Sequence, residues 1–329
     1  VALQHLPSAA REYQRAQRRE ITEALAAIRR QWRRMPQGSS WDDAWARIEP
    51  AITQIVTTAQ QRVAAGALAF IPAVIEDTDQ SGHDPDAMPS YAPLVGVAGD
   101  GRPVDSLAYG AVVRSGQAYD AGATPYQALR SGGKWLGMAM STALADTSRS
   151  AESIAMGVRR VRTYVRMVNA GCCARCAILA GQVTTNDHAF LRHPSCSCRN
   201  IPMQESIAGN HLVDPHAYFE SLTREQQEHV FTAAGAEAIR HGADIFQVVN
   251  ARRGMSAAQV GGRKLLVTSE GTTRRGFAYS RLSQSAGQDI KQGRYRRTIR
   301  PRLMPETIRE VATSQEEYLR LLYANGYIL

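Results

Sequence analysis

A chain of 329 residues with 44% hydrophobic content has the length for two or three domains and enough apolar side chains for a buried core. Aromatics are few and alanine is abundant, which favours helix over sheet. No apolar run approaches the ~20 residues of a membrane span and no leader pattern is present, so the expectation is a soluble protein made in the cytoplasm. A net charge of +9 asks for a polyanionic partner without choosing between nucleic acid and an acidic protein surface.

Residues 8–34 read as a helix, with Tyr13, Ile21, Leu25, Ile28 and Trp32 on one face and Arg11, Arg15, Arg18, Arg19, Arg29 and Arg30 on the other. Met35 to Gly38 ends it. Ser40, with Asp43 placed for a capping box, starts a second helix striped by Trp41, Trp45, Ile48, Ile52, Ile55 and Val63 and expected to kink at Pro50. These helices make an N-terminal hairpin over 1–75 that needs a neighbour or another copy to cover its apolar face. Residues 76–103 are rich in Asp, Pro, Gly and Ser and read as a linker, with His83, Asp84 and Asp86 as a solvated loop.

A helical core is expected over 104–200. One helix spans 104–119. Thr124, Pro125 and Gln127 cap another to about Leu144, whose Gly132 and Gly133 suit a close approach. A third, from Ser150, is read from Ile154, Val158, Val161, Val165 and Val168, with Arg159, Arg160, Arg162 and Arg166 opposite and Asn169 and Gly171 as its stop.

All five cysteines follow within one short stretch, CCARCAILAGQVTTNDHAFLRHPSCSCR, at 172, 173, 176, 196 and 198. The spacing is C-x2-C, sixteen residues, then H-x2-C-x-C. A C-x2-C pair aims two thiolates at one centre, and a second short cluster completes the tetrahedron that zinc prefers. Cys173, Cys176 and Cys198, with either His193 or Cys196, are the expected ligands of a structural zinc, and Cys172 lies one residue outside the spacing. Cysteines confined to one loop make a poor disulfide framework for so long a chain. A thioredoxin-like pair wants C-x2-C opening a helix after a strand, whereas this one is read as following a helix. A zinc deaminase needs an H-x-E that neither His188 nor His193 supplies. Zinc binds small structural sites with an apparent ~10–16 kcal/mol against ~2–4 for a disulfide, so only the metal comfortably offsets ordering this core-poor loop.

Beyond Pro202 a helical segment is expected to 250, with Thr223 and Gln226 as a further capping box. Residues 252–302 then hold thirteen Arg or Lys against Glu270 and Asp289, a net +11. With frequent Gly, sparse apolar residues and one strand at 264–268, 251–303 reads as an extended basic arm. Arg252, Arg253, Arg274, Arg275, Arg294, Arg296, Arg297 and Arg300 are its candidate contacts to nucleic acid or a protein wall. Ser314 and Glu317 cap a last helix within 304–329, stopped at Asn325-Gly326. The expected fold class is mainly α, a helical bundle with a small zinc knuckle and an extended, basic C-terminal arm.

The pattern carried by Cys173, Cys176, Gly181, His193, Pro194, Cys196, Cys198 and Arg199 resembles the hallmark of phage Mu F-like head-morphogenesis proteins, minor capsid proteins of tailed phages. The run 247–255 (QVVNARRGM) and the ending RLMPETIREVATSQEEYLRLLYANGYIL are similar to minor head proteins of phages infecting actinobacteria; the motif covers under a tenth of the chain, the fuller similarity about 104 to the end. The resemblance implies a structural protein inside the virion head near portal or capsid wall, with portal and major capsid proteins as partners, and it leaves room for an oligomer. Packaged double-stranded DNA would be met without sequence preference. Some similar phage proteins are labelled capsid-maturation proteases, yet the chain has no G-x-S-x-G, H-E-x-x-H or Walker loop, so no enzyme is expected. A zinc-containing, non-specific nucleic-acid-binding module is the other alternative, weakened because only Phe277, Tyr279 and Tyr295 offer stacking in the basic tract.

Overall fold

The first half of the chain is carried by long helices: α1 (Ser8–Trp32), α2 (Trp41–Asp77), α3 (Val104–Asp120) and α4 (Pro125–Gly157). In this computed structural model the described residues are 7–328 except 39, 83, 168–171, 181–182, 187–193, 195, 197, 204–213, 261, 275, 277, 287–288, 293–294 and 299–300. At 260 and through 284–297 only backbone is described. The chain divides into two compact units, Leu3–Asn169 with Gly181–Leu212, and Ala170–Ala180 with Val213–Leu329.

In the first unit the amphipathic stripes meet as their spacing requires. Ile28 and Trp32 of α1, Trp45, Ile48, Ile52 and Val56 of α2, Val104, Ala108 and Ala111 of α3, and Leu136, Met140 and Leu144 of α4 form one buried cluster. The expected boundaries at 75 and 103 therefore do not separate folded bodies, because the hairpin's apolar face is covered by α3 and α4. Ser40 accepts from the Asp43 amide at the start of α2, and the helix continues through Pro50 and Pro72. Thr124 and Gln127 form the reciprocal box that opens α4. The α3–α4 approach is set by Gly132, where an added Cβ would lie 2.1 Å from Ser115 Oγ and 2.4 Å from the Ala111 carbonyl oxygen.

The segment read as a linker is strapped onto these helices. Gln60, fully buried, accepts from the Gly96 amide and donates to the Val97 carbonyl, both at 2.8 Å. Tyr91 and Leu94 pack against buried Ala64, Ala67 and Ala151. Arg160 pairs with Asp86 at 2.9 Å. Its polar composition supplies hydrogen bonds to the bundle rather than freedom from it. His83, once grouped with Asp84 and Asp86, lies outside the described residues.

The helix expected from Ser150 through Val168 is corrected. α4 runs on past Leu144 without a break and ends at Gly157, and Arg160 takes a positive φ of 55°. Val158 is the C-cap of α4, and Val165 lies on strand β1 (Thr163–Met167). Val161 and Val165, four apart, fit a two-residue period as well as a helical one, and β-branched side chains favour strand where a sheet can receive them. That sheet is antiparallel: β1 sits between β2 (Val183–Thr185) and β3 (Arg199–Pro202). Tyr164, Val165, Met167 and Ile201 pack with Tyr13 of α1, Phe70 and Val74 of α2, and Met156 of α4.

The second unit is built from short helices and hairpins. The helices Pro215–Ser221, Arg224–Phe231, Ala233–Arg240 and Ile245–Ala251 begin with side-chain caps from Asp214, Thr223, Thr232 and Asp244. The tract read as an extended arm is largely regular. Strand β4 (Met255–Val260) pairs with β5 (Arg263–Thr268), which contains the expected strand, and β6 (Asp289–Gln292) pairs with β7 (Tyr295–Thr298). β8 (Arg302–Leu303) closes the β4–β5 sheet on its other edge. Leu265 and Val267 are buried, and the Thr307 hydroxyl of helix Pro305–Val311 bonds both the amide and the carbonyl of Leu266. Cross-strand pairing satisfies a backbone whose side chains alone suggested no core. Ser314 caps the last helix, Gln315–Ala324, which stops at Asn325 with Gly326 at φ 65°. The fold class is as expected in outline: mainly helical, with small sheets and a cysteine cluster.

Candidate metal centre

Cys173 is the N-cap of a short helix, Ala174–Ala177, that buries Cys176 on its inner side. Among the described residues the preceding element is a strand, not a helix, which removes one of the sequence arguments against a redox pair. Cys196 and Cys198 stand immediately before β3 and are 2% and 1% exposed. The Sγ atoms of Cys176, Cys196 and Cys198 all lie within 4.8 Å of one another. A tetrahedral zinc–thiolate shell with bonds of about 2.3 Å sets sulfurs about 3.8 Å apart. Three buried thiols are a soft donor set, and a metal ion can be held here.

Two buried arginines lie against Cys196 and Cys198. Arg149 of α4, 2% exposed, donates from Nη1 to the carbonyls of Cys196 at 3.0 Å and Cys198 at 2.9 Å, and from Nη2 to Asp146 at 2.7 Å. Arg166 of β1, 3% exposed, places Nη2 3.7 Å from Cys196 Sγ. One guanidinium thus fixes the turn's backbone while another faces a sulfur directly, an arrangement that offsets the negative charge of several thiolates around one dication.

Next to this turn lies a buried carboxyl. Glu152 accepts from the Asn200 amide at 3.1 Å, Tyr13 at 3.0 Å and Ser148 at 3.2 Å, and it is fully buried. Burial raises its pKa above the ordinary carboxyl range, against the pull of Arg199, the Asn200 amide and Arg149. Burial and the neighbouring Glu152 push the Tyr13 phenol well up. The network ties α1, α4 and the first residues of β3 together just past the cysteines.

Of the expected ligands, Cys176, Cys196 and Cys198 are brought together, whereas Cys173 is exposed and stands outside the three-thiol group. His193 lies outside the described residues. Cys172 is buried, its thiol 3.8 Å from the Tyr218 hydroxyl, so it is seated in the second unit's own packing. Sequence reasoning missed Arg149, which sits among small residues with no motif. It put Arg166 on the helix face opposite the valines, an error inherited from reading β1 as helix.

The candidate contact residues of the basic tract behave differently from one another. Arg252 is committed inside its unit, donating to Glu306 and to Thr232 Oγ1. Arg253 and Arg274 are exposed. Arg296 and Arg297 lie on β7, and Arg275, Arg294 and Arg300 fall outside the described residues. Arg302, counted in the tract's charge, is fully buried: it donates to the carbonyls of Glu270, Asn325 and Gly326 at 2.8–3.1 Å and lies 4.2 Å from the Tyr327 ring centre. Burial lowers its pKa from the ordinary arginine value. No helix among the described residues is long and apolar enough to cross a membrane. Comparison with known proteins returned no matching family model, no matching curated protein and no matching solved structure.

Proposed function

We propose that this chain is a structural, non-enzymatic component of a tailed-phage head: a minor capsid protein inside the shell, near portal or capsid wall, held in shape by a zinc ion. The observation that carries the reading is the pairing of the C-A-R-C…H-P-S-C-S-C-R pattern with three of its thiols lying within 4.8 Å of one another. Cys176, Cys196 and Cys198 supply three ligands. The fourth is Cys173 or His193 from the same pattern. A shell closed by protein ligands gives zinc a structural role, since a catalytic zinc keeps one position open. The metal supplies cross-linking energy where side-chain burial is scarce. Exposed cations such as Arg253 and Arg274 suit a protein placed between packaged DNA and a protein wall.

The test is location. Particles purified through density gradients from cells infected with the encoding phage should contain the chain at a low, fixed stoichiometry, with density inside the shell. Its absence from finished particles and from proheads alike would overturn the reading. Normal coat-protein processing in its absence would dispose of the maturation-protease alternative.

A further inference from the structure

Between α1 and α4 runs an open groove of about 650 Å³. Its floor is apolar, from Leu25, Ile28 and Trp32 on one side and Leu129, Leu136 and Met138 on the other. Gly133, Gly137 and Ser141, spaced by four along α4, keep that side low, and an added Cβ at Gly137 would meet nothing within 4 Å. The rim is wholly basic: Arg29 on α1 and Arg33 at its C-cap on one side, Arg130 and Lys134 of α4 on the other. All four are exposed, and among the described residues none pairs with a carboxylate. Arg130 and Lys134 within α4, and Arg29 and Arg33 at the end of α1, are thus like-charge pairs at i, i+4, which repel unless an anionic partner lies alongside.

We infer that this groove is the docking site for an amphipathic helix of a partner protein, its apolar stripe on the floor and acidic residues on both flanks against the rim. A floor of Leu, Ile and Trp gains by covering apolar surface, which a phosphate backbone cannot do. Two rows of cations on either side of that floor match a helix with carboxylates on both flanks. The chain's own acidic segment is not the occupant, since Asp77, Asp86 and Asp100 are engaged with Ser8, Arg160 and Arg102. The inference stands independently of the phage-head reading.

The test uses the full chain and a labelled synthetic helix of about five turns, with Leu at i, i+3, i+4 and i+7 and Glu on both flanks. A scrambled peptide of identical composition is the control. Binding followed by anisotropy should be about tenfold or more tighter for the amphipathic peptide than for the scramble. Gly137→Leu, which fills free space, should weaken it about tenfold, as should Arg33→Glu with Lys134→Glu. Circular dichroism and the urea midpoint should not fall in either variant. Equal affinity for both peptides, or indifference to Gly137→Leu, would overturn the inference. So would an inert peptide, including the case in which a duplex of about 20 base pairs binds the chain and is displaced by Gly137→Leu, which would make the groove a nucleic-acid surface.

Discussion

Arg149 holds the backbone at Cys196 and Cys198 against α4. Its side chain is buried, its charge is matched by Asp146, and it donates to the carbonyls of both Cys196 and Cys198. Replacing it with Met removes three hydrogen bonds of a buried guanidinium, one of them to a carboxylate, at a cost of about 3–5 kcal/mol. Urea unfolding followed by tryptophan fluorescence will report this, because Trp32, Trp41, Trp45 and Trp135 all lie in the first unit. A loss below about 1 kcal/mol would mean the turn is held by other means. Glu152 offers a prediction with a sign. Its folded-state pKa is raised by burial, so the folded chain holds that proton more tightly than the unfolded chain. The stability it contributes is present below the ordinary carboxyl range and is lost as pH rises through the folded value. Glu152→Gln should therefore gain on the parent protein as pH rises across that window. A difference that stays constant with pH would show that this carboxyl is not shifted.

Helix contacts here depend on where glycine stands. Alanine is a better helix former than glycine by about 1 kcal/mol, so both Gly132→Ala and Gly137→Ala would stabilise α4 if propensity decided. At Gly132 the new methyl would collide with Ser115 and with the α3 backbone at Ala111, and overpacking of this kind costs about 1–3 kcal/mol. At Gly137 it meets nothing within 4 Å. The expected outcome is a lower urea midpoint for Gly132→Ala and an equal or higher one for Gly137→Ala. Matching shifts in the two would show that the α3–α4 approach has room for a methyl group at Gly132. Thr124→Ala, which breaks the reciprocal box at the start of α4, should cost about 1 kcal/mol by the same measurement.

For the molecule as a whole, metal content and charge are the measurable quantities. Protein purified without chelator should carry one zinc per chain. Cys176→Ser and Cys198→Ser should each abolish it, while Cys172→Ser, outside the thiol group, should keep it. Elemental analysis finding no metal, with every thiol titratable, would rule the centre out. If the basic tract binds duplex DNA through about six phosphates, log affinity should fall against log salt with a slope near −5, at about −0.9 per contact. Arg253→Gln with Arg274→Gln should flatten that slope by about 2. Arg302→Gln should instead unfold its unit, because that guanidinium is fully buried among backbone carbonyls. An unchanged slope in the double variant would assign the tract to a protein surface.

Much of this protein was legible from local pattern alone. The apolar stripes of α1 and α2, the Thr124 and Thr223 boxes, the Ser314 cap and the strand at 264–268 depend on neighbours within a few residues, and all appear where the spacing puts them. The thiol group was legible too, since metal-ligand spacing is local chemistry, though Cys173 as a certain ligand was not. What the tertiary structure decided are the cases in which two periods fit the same residues, or in which a partner lies far along the chain. Val165 suits helix or strand, and β3 with the cover of α2 and α4 chose strand. The acidic segment reads as linker until Gln60, thirty-six residues away, binds its backbone. Arg149, Arg166 and Arg302 look solvated in sequence because an arginine's burial depends on acceptors that only folding brings within reach.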